Sequence, residues 1–134
     1  MQSLVPLLGR ILIAAIFISS GFGKITGFEG AVGHIGSKGL PMPQLLAIGA
    51  IVVELGGGLM LLVGWKTRWA APALLVFTGL ATLLFHNFWA VPQDQAQNQM
   101  IHFMKNLALA GGALALMGVE EPWPASVPLP RIAV

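Results

Sequence analysis

The chain has 134 residues, of which 56% are hydrophobic and only 9% charged, against about 25% charged in an ordinary soluble domain, and its mean hydropathy is +0.81. Seven basic and five acidic side chains give a net charge of +2, but the basic residues are scattered singly, which argues against the clustered stripe of a nucleic-acid binder. The absence of cysteine excludes thiol chemistry, disulfides and iron–sulfur ligation by this chain, and the absence of tyrosine removes a tyrosyl acid or radical.

The first apolar run, Leu4 to Gly23, is long enough to cross a bilayer, which takes roughly 20 residues per helix. Arg10 lies inside the run rather than before it and Lys24 follows it, so the segment reads as a retained helix and not as a cleaved signal peptide. Arg10, Ala14, Phe17, Gly21 and Lys24 recur every three or four residues and form one stripe. The loop that follows carries Lys24, Lys38 and glycines at 27, 30, 33, 36 and 39. It is expected to be a small irregular or helical cap on the outer face, with His34 exposed to solvent.

The second run extends from Gln44 to Gly64. Pro41 and Pro43 set its start, since proline suits the first turn of a helix and not its middle. Ala50, Glu54, Gly57 and Gly58 share a face of it. Gly64 to Trp69 is a tight basic turn, and the third run follows from Trp69 to His86 with Pro72 expected in its first turn. Asn87 to Gln99 is polar, contains Asp94 and has no Lys or Arg. The fourth run, Met100 to Gly118, places His102, Lys105, Asn106 and Leu109 on one face. The remaining residues, 119–134, are rich in proline and are expected to run extended.

These runs predict an all-α integral membrane protein, a single domain over 1–134 built as a four-helix bundle with helices at about 4–23, 44–64, 69–86 and 100–118 and a Pro-rich tail at 119–134. Backbone groups in lipid must be satisfied internally, which favours helices over any open sheet. Lys and Arg accumulate on the cytoplasmic side, which puts the 64–69 turn inside, the 87–99 loop outside and both termini in the cytoplasm. Lys24 and Lys38 in the first loop argue the other way. Trp65, Trp69, Trp89 and Trp123 fall at expected helix ends, where indole rings favour the interface.

An ionisable group at the centre of a membrane helix costs roughly 2.5–3.5 kcal/mol on insertion scales, so it needs a partner or a task. Arg10, Glu54 and Lys105 are expected to form a buried charge network in which Glu54 is ionised and pairs with Arg10, Lys105 or both. One reading of that network is purely structural, pinning the helices in register; the other is a polar pocket for a small ligand or for proton relay. A second group is expected to line an outer cavity: His86, Asn87, His102, Lys105 and Asn106, with Lys24 at its rim. No metal is expected there, because Lys105 stands one turn from His102 and a cation repels a metal ion. A hydrogen-bonding histidine suits the site better than a haem or metal ligand.

The residues also resemble a known family. Gly-Arg at 9–10, Phe-Ile-Ser-Ser-Gly at 17–21 with Lys24, Gly-Leu-Pro-Met-Pro at 39–43, Glu54 followed by Gly-Gly-Gly-Leu at 56–59 and Gly64, Phe-His-Asn-Phe at 85–88 and Phe-Met-Lys-Asn-Leu-Ala-Leu-Ala-Gly-Gly at 103–112 are similar, in order and spacing, to the DoxX-like membrane proteins. The resemblance runs from Gly9 to Gly118. It implies a multi-pass four-helix protein of a bacterial-type inner (plasma) membrane. The family takes its name from a subunit of a thiosulfate:quinone oxidoreductase, so the resemblance further implies a membrane subunit of a quinone-linked oxidoreductase system. Some relatives work with thiol partners, a role this chain cannot share directly without cysteine.

Two functions of different class follow. In the first, no cofactor motif is visible in the chain and a quinone is the ligand: its carbonyl oxygens accept hydrogen bonds from Lys, His or Asn, while His or Glu handles protons. In the second, the chain is a non-catalytic scaffold or assembly factor for a partner protein. A small-solute transporter fits less well, since the four helices show no inverted repeat. The expected partners are the lipid bilayer and either a redox enzyme or further copies of the chain, with no nucleic acid.

Overall fold

The computed structural model describes residues 4–118; the Pro-rich tail expected at 119–134 lies outside them, with Trp123. Five helices account for nearly all of the described chain: α1 (Leu4–Thr26), α2 (Phe28–Ser37), α3 (Pro43–Val63), α4 (Thr67–Phe85) and α5 (Gln93–Met117). Four of them, all but α2, belong to segments long and apolar enough to cross a membrane. Most of their large apolar side chains point outward; Val5, Leu12, Val52, Val76 and Leu107 are all exposed. In water this would be an inverted protein. In lipid it is the expected surface, since the bilayer interior is as apolar as the side chains facing it.

The stripe read on α1 is its buried face: Arg10, Ala14, Phe17 and Gly21 are its buried residues. The bundle is held by close backbone approach rather than by large side chains. A Cβ added at Gly21 would stand 2.9 Å from the Leu55 backbone nitrogen, and one at Gly58 would stand 2.9 Å from Ile18 Cγ1 and 3.2 Å from the Ile18 nitrogen. These two contacts set α1 and α3 antiparallel in one register. Ala14, Phe17, Leu61, Ala71, Leu74 and Leu116 fill the core between the helices.

The first loop is mostly the ten-residue helix α2, one of the two forms expected for it. Two local features differ from the sequence reading. Pro72 lies inside α4 and not in its first turn, because the helix begins at Thr67, with Lys66 in a left-handed conformation (φ 46°) at its cap. The segment expected as the loop 87–99 is a short 3-10 turn, Phe88–Ala90, followed by the start of α5 at Gln93, seven residues ahead of the apolar run. Pro92 precedes that start and Asp94 sits in the first turn, where an acidic side chain complements the positive end of the helix dipole. The polar Gln and Asn residues of 93–99 extend the helix beyond the apolar stretch and hide it from a hydropathy reading.

Helix α3 is not regular. Val52–Gly56 is a π-helical turn with Glu54 at its centre. Such a turn inserts one residue into the helical repeat and often marks a functional site.

If backbone approach holds α1 to α3, Gly21→Val should destabilise the protein by about 1–3 kcal/mol through overpacking. Gly79 has no atom within 4 Å of an added Cβ, so Gly79→Ala should be neutral or stabilise by up to about 1 kcal/mol. Thermal unfolding in detergent compares the two.

Candidate functional site

Glu54 is buried, its side chain 3% exposed, and its Oε1 lies 2.7 Å from Lys24 Nζ. Lys24 also donates to Ser20 Oγ at 2.9 Å. The geometry follows from helix direction. The Cα–Cβ bonds of a helix tilt toward its N-terminus, so the Lys24 side chain runs back down α1 by one turn, past Ser20, to the level where Gly21 meets Leu55.

This corrects the expected network, in which Glu54 was to pair with Arg10 or Lys105. Arg10 is buried on the stripe of α1, but it stands eleven residues before Gly21, about 16 Å along the axis, and therefore near the 64–67 end of α3. Lys105 is exposed on α5. Depth measured along idealised helices brought all three charges within reach; the register set by Gly21 and Gly58 does not.

The pair opens onto a cavity of about 490 Å³. Ile16, Phe17, Leu46, Leu80, Leu84 and Leu109 supply much of its apolar wall, and Ile16, Leu46, Leu80 and Leu84 are also exposed at the protein surface. Its polar groups are Ser20 and Lys24 from α1, His34 from α2, Glu54 from α3, Thr78 from α4, His86 just beyond α4 and Asn106 from α5. Every helix contributes. An apolar enclosure with a few convergent polar groups is the general form of a small-molecule site.

The end of the cavity near His34 and His86 is walled by stacked rings. His34 lies against Phe85 with centroids 4.9 Å apart, and His86 lies against His102 at 5.0 Å. His86 Nδ1 is 2.9 Å from Gln99 Oε1; with that oxygen accepting, Nδ1 carries the proton and Nε2 remains an acceptor. The His34 contact spans from the α2 cap to the end of α4, so α2 is seated over the mouth of the cavity. Burial, and then the nearby charges of Lys38, His86 and Lys24, hold the His34 pKa below its ordinary value. At neutral pH its ring is uncharged and stacks without a desolvated cation.

Of the residues expected at an outer cavity, the structure brings Lys24, His86 and Asn106 to the lining. His102 reaches the site through its ring contact with His86. Lys105 and Asn87 are not on the lining, although Asn87 Oδ1 is buried with no hydrogen-bond partner. On α5 the cavity side is centred on Asn106 and Leu109, and Lys105 lies one residue, or 100°, round the helix from Asn106. His34 is exposed, as expected, yet it lines the cavity. Ser20, Thr78 and Gln99 were missed. A hydroxyl one turn before Lys24 and a threonine within an apolar run were visible signals for the first two. Gln99 was hidden in what looked like a loop.

Fold and site together define a multi-pass helical membrane protein with a polar-ended cavity inside its bundle. Residues 5–87 match the DoxX family model, and the chain belongs to the DoxX family. It is 37% identical over 116 residues to the inner membrane protein YphA of Escherichia coli K12, covering 87% of this chain and 82% of that one. It is 40% identical over 110 residues to the inner membrane protein YqjF of the same organism, covering 82% and 79%. No solved structure matches it significantly.

The ion pair generates a direct expectation. Glu54→Gln leaves Lys24 without its counter-charge, and breaking one side of a buried pair costs about 3–5 kcal/mol; the 30% exposure of Lys24 places the loss at the low end. Lys24→Met in the Glu54→Gln background should recover part of it. Lys105→Ala should show no coupling to Glu54. A double-mutant cycle by thermal unfolding in detergent measures all three, and coupling of Glu54 to Lys105 instead of Lys24 would overturn the pairing.

Proposed function

We propose that the protein is the membrane subunit of a quinone-linked oxidoreductase system in a bacterial-type inner membrane, and that its cavity receives the head of an amphipathic quinone. The observation that carries this reading is the cavity itself, with apolar walls that reach the lipid-facing surface and polar groups at its inner and outer ends. A quinone partitions into the bilayer and needs a lateral, apolar route to such a site.

Lys24 is the donor suited to a carbonyl oxygen: two of its ammonium hydrogens are directed to Glu54 and Ser20, which fixes the side chain, and a third remains. Glu54 holds that lysine in place. His86, with Nε2 free as an acceptor, can take or return a proton at the outer end, with His34 beside the mouth. The bound quinone would supply the redox chemistry, and electrons would come from a partner enzyme, because the chain shows no cofactor motif of its own.

Purification in mild detergent followed by organic extraction tests this. About one quinone per chain is expected in the extract, and His86→Ala, or Lys24→Met combined with Glu54→Gln so that no charge is left unpaired, should reduce its content while the protein stays folded. A protein that co-purifies without any quinone would favour the scaffold reading instead.

In the proposed orientation both termini are cytoplasmic and the cavity mouth faces the periplasm. The chain lacks cysteine, so single introduced cysteines report cleanly. Gln95→Cys should react with an impermeant maleimide in intact cells and Trp65→Cys only after lysis. The opposite pattern would invert the topology.

A further inference from the structure

Thr78 and Thr82 lie one turn apart in α4 and both are buried. The Thr82 hydroxyl donates to the Thr78 carbonyl at 2.6 Å, the usual way a threonine satisfies itself within a helix. The Thr78 hydroxyl does not do this. It is buried, the residue 4% exposed, it has no hydrogen-bond partner, and it belongs to the cavity lining, whereas Thr82 does not. Buried polar groups in folded proteins are nearly always paired, so each exception calls for an explanation. Asn106, from the neighbouring α5, lines the same cavity and its carboxamide makes no hydrogen bond among the described residues.

We infer that the Thr78 hydroxyl is a second, neutral hydrogen-bonding station in the cavity, with the Asn106 carboxamide a further polar group on the same lining, and that the ligand head therefore carries two oxygens, one for this station and one for Lys24. The inference rests on the cavity binding a ligand as proposed above and narrows what that ligand is. The two stations belong to different walls: Lys24, Ser20 and Glu54 come from α1 and α3, Thr78 and Asn106 from α4 and α5. A single-headed amphiphile can satisfy only one of them. A slim ring with oxygens in para positions can satisfy both.

The chemistry of the second station is also distinctive. An ammonium only donates, but a hydroxyl and a carboxamide each both donate and accept. Such a station can hold a carbonyl oxygen or a hydroxyl group at the same place. It therefore suits the oxidised and the reduced member of a quinone–hydroquinone couple equally, with no charge in the protein having to change.

The test compares a decyl-tailed para-hydroquinone with the decyl-tailed phenol lacking one hydroxyl, both titrated anaerobically against the purified chain in nanodiscs. The parent should bind the hydroquinone more tightly by at least tenfold, because a site built to pair a hydroxyl discriminates against an analogue without it. Thr78→Val, close in shape, should abolish most of that preference and leave the unfolding temperature equal or higher, since it deletes a hydroxyl with no partner. Asn106→Leu should lower the preference in the same direction. Thr82→Val, whose hydroxyl is satisfied within the helix, should keep the preference.

If the parent binds both compounds equally, or if Thr78→Val and Asn106→Leu keep its preference, the second station is overturned while the quinone reading stands. If the parent binds neither compound nor the tailed quinone, the quinone reading fails and the station fails with it. If Thr78→Val unfolds the protein, the hydroxyl has a structural partner and the inference is overturned.

Discussion

An ion pair between Lys24 and Glu54 in the interior of an apolar bundle is the interaction around which the other features are arranged. A lone carboxylate at this depth would be neutralised by its surroundings or would exclude the helix from the bilayer. Paired at 2.7 Å, it becomes a nearly neutral unit that ties α1 to α3. Two further conditions make the pair work. Ser20 accepts from the lysine, so the ammonium is not left with one partner. The lysine stem lies along α1, which covers apolar surface with methylenes while carrying the charge inward.

The pair can form only if the two backbones come close, and the sequence arranges this by leaving out side chains. Gly21 faces the Leu55 backbone on the turn next to Glu54, and Gly58 faces Phe17 and Ile18 one turn further along. The π-turn at Val52–Gly56, which includes Leu55 and Glu54, adds a residue to the helix. Ahead of it, Leu46 and Ala50 line the cavity with Glu54. Beyond it, Gly57 packs against Leu74 and Gly58 against α1. A regular helix would need one face to do both. The π-turn is therefore the local irregularity that lets α3 be a packing helix at one end and a site wall at the other.

The periodicities that a bilayer enforces were legible in the sequence, and the register between helices was not. Four spans, their order and the buried stripe Arg10–Ala14–Phe17–Gly21 follow from hydropathy and helical spacing, because lipid allows little else. Partner choice among charges depends on angstroms of axial offset. Arg10 and Lys105 looked able to reach Glu54 and Lys24 was placed elsewhere, at the rim of a cavity; the glycine contacts set the register that brings Lys24 to Glu54 instead. The start of α5 was lost because Gln93–Gln99 is polar and helical at once, so hydropathy ends where the helix does not. That hidden turn carries Gln99 to His86, which is why the wall around His86 could not be drawn from composition. The π-turn leaves no mark beyond the run of glycines after it, and glycine has many other uses.

The parts of the cavity wall also differ in how firmly they are held. The α1–α3 wall combines an ion pair with backbone contacts too close to admit a methyl group, so separating it would expose charge to lipid. The α4–α5 wall packs without an ion pair and is closed at one end by the His86–His102 stack and the Gln99 contact. The α2 cap is the most lightly held: Ile35 is its one buried residue, and the His34–Phe85 stack is its ring contact with α4. Local opening proceeds through the elements with the fewest buried contacts. Opening at this end of the cavity therefore starts with α2 and leaves the Lys24–Glu54 wall in place.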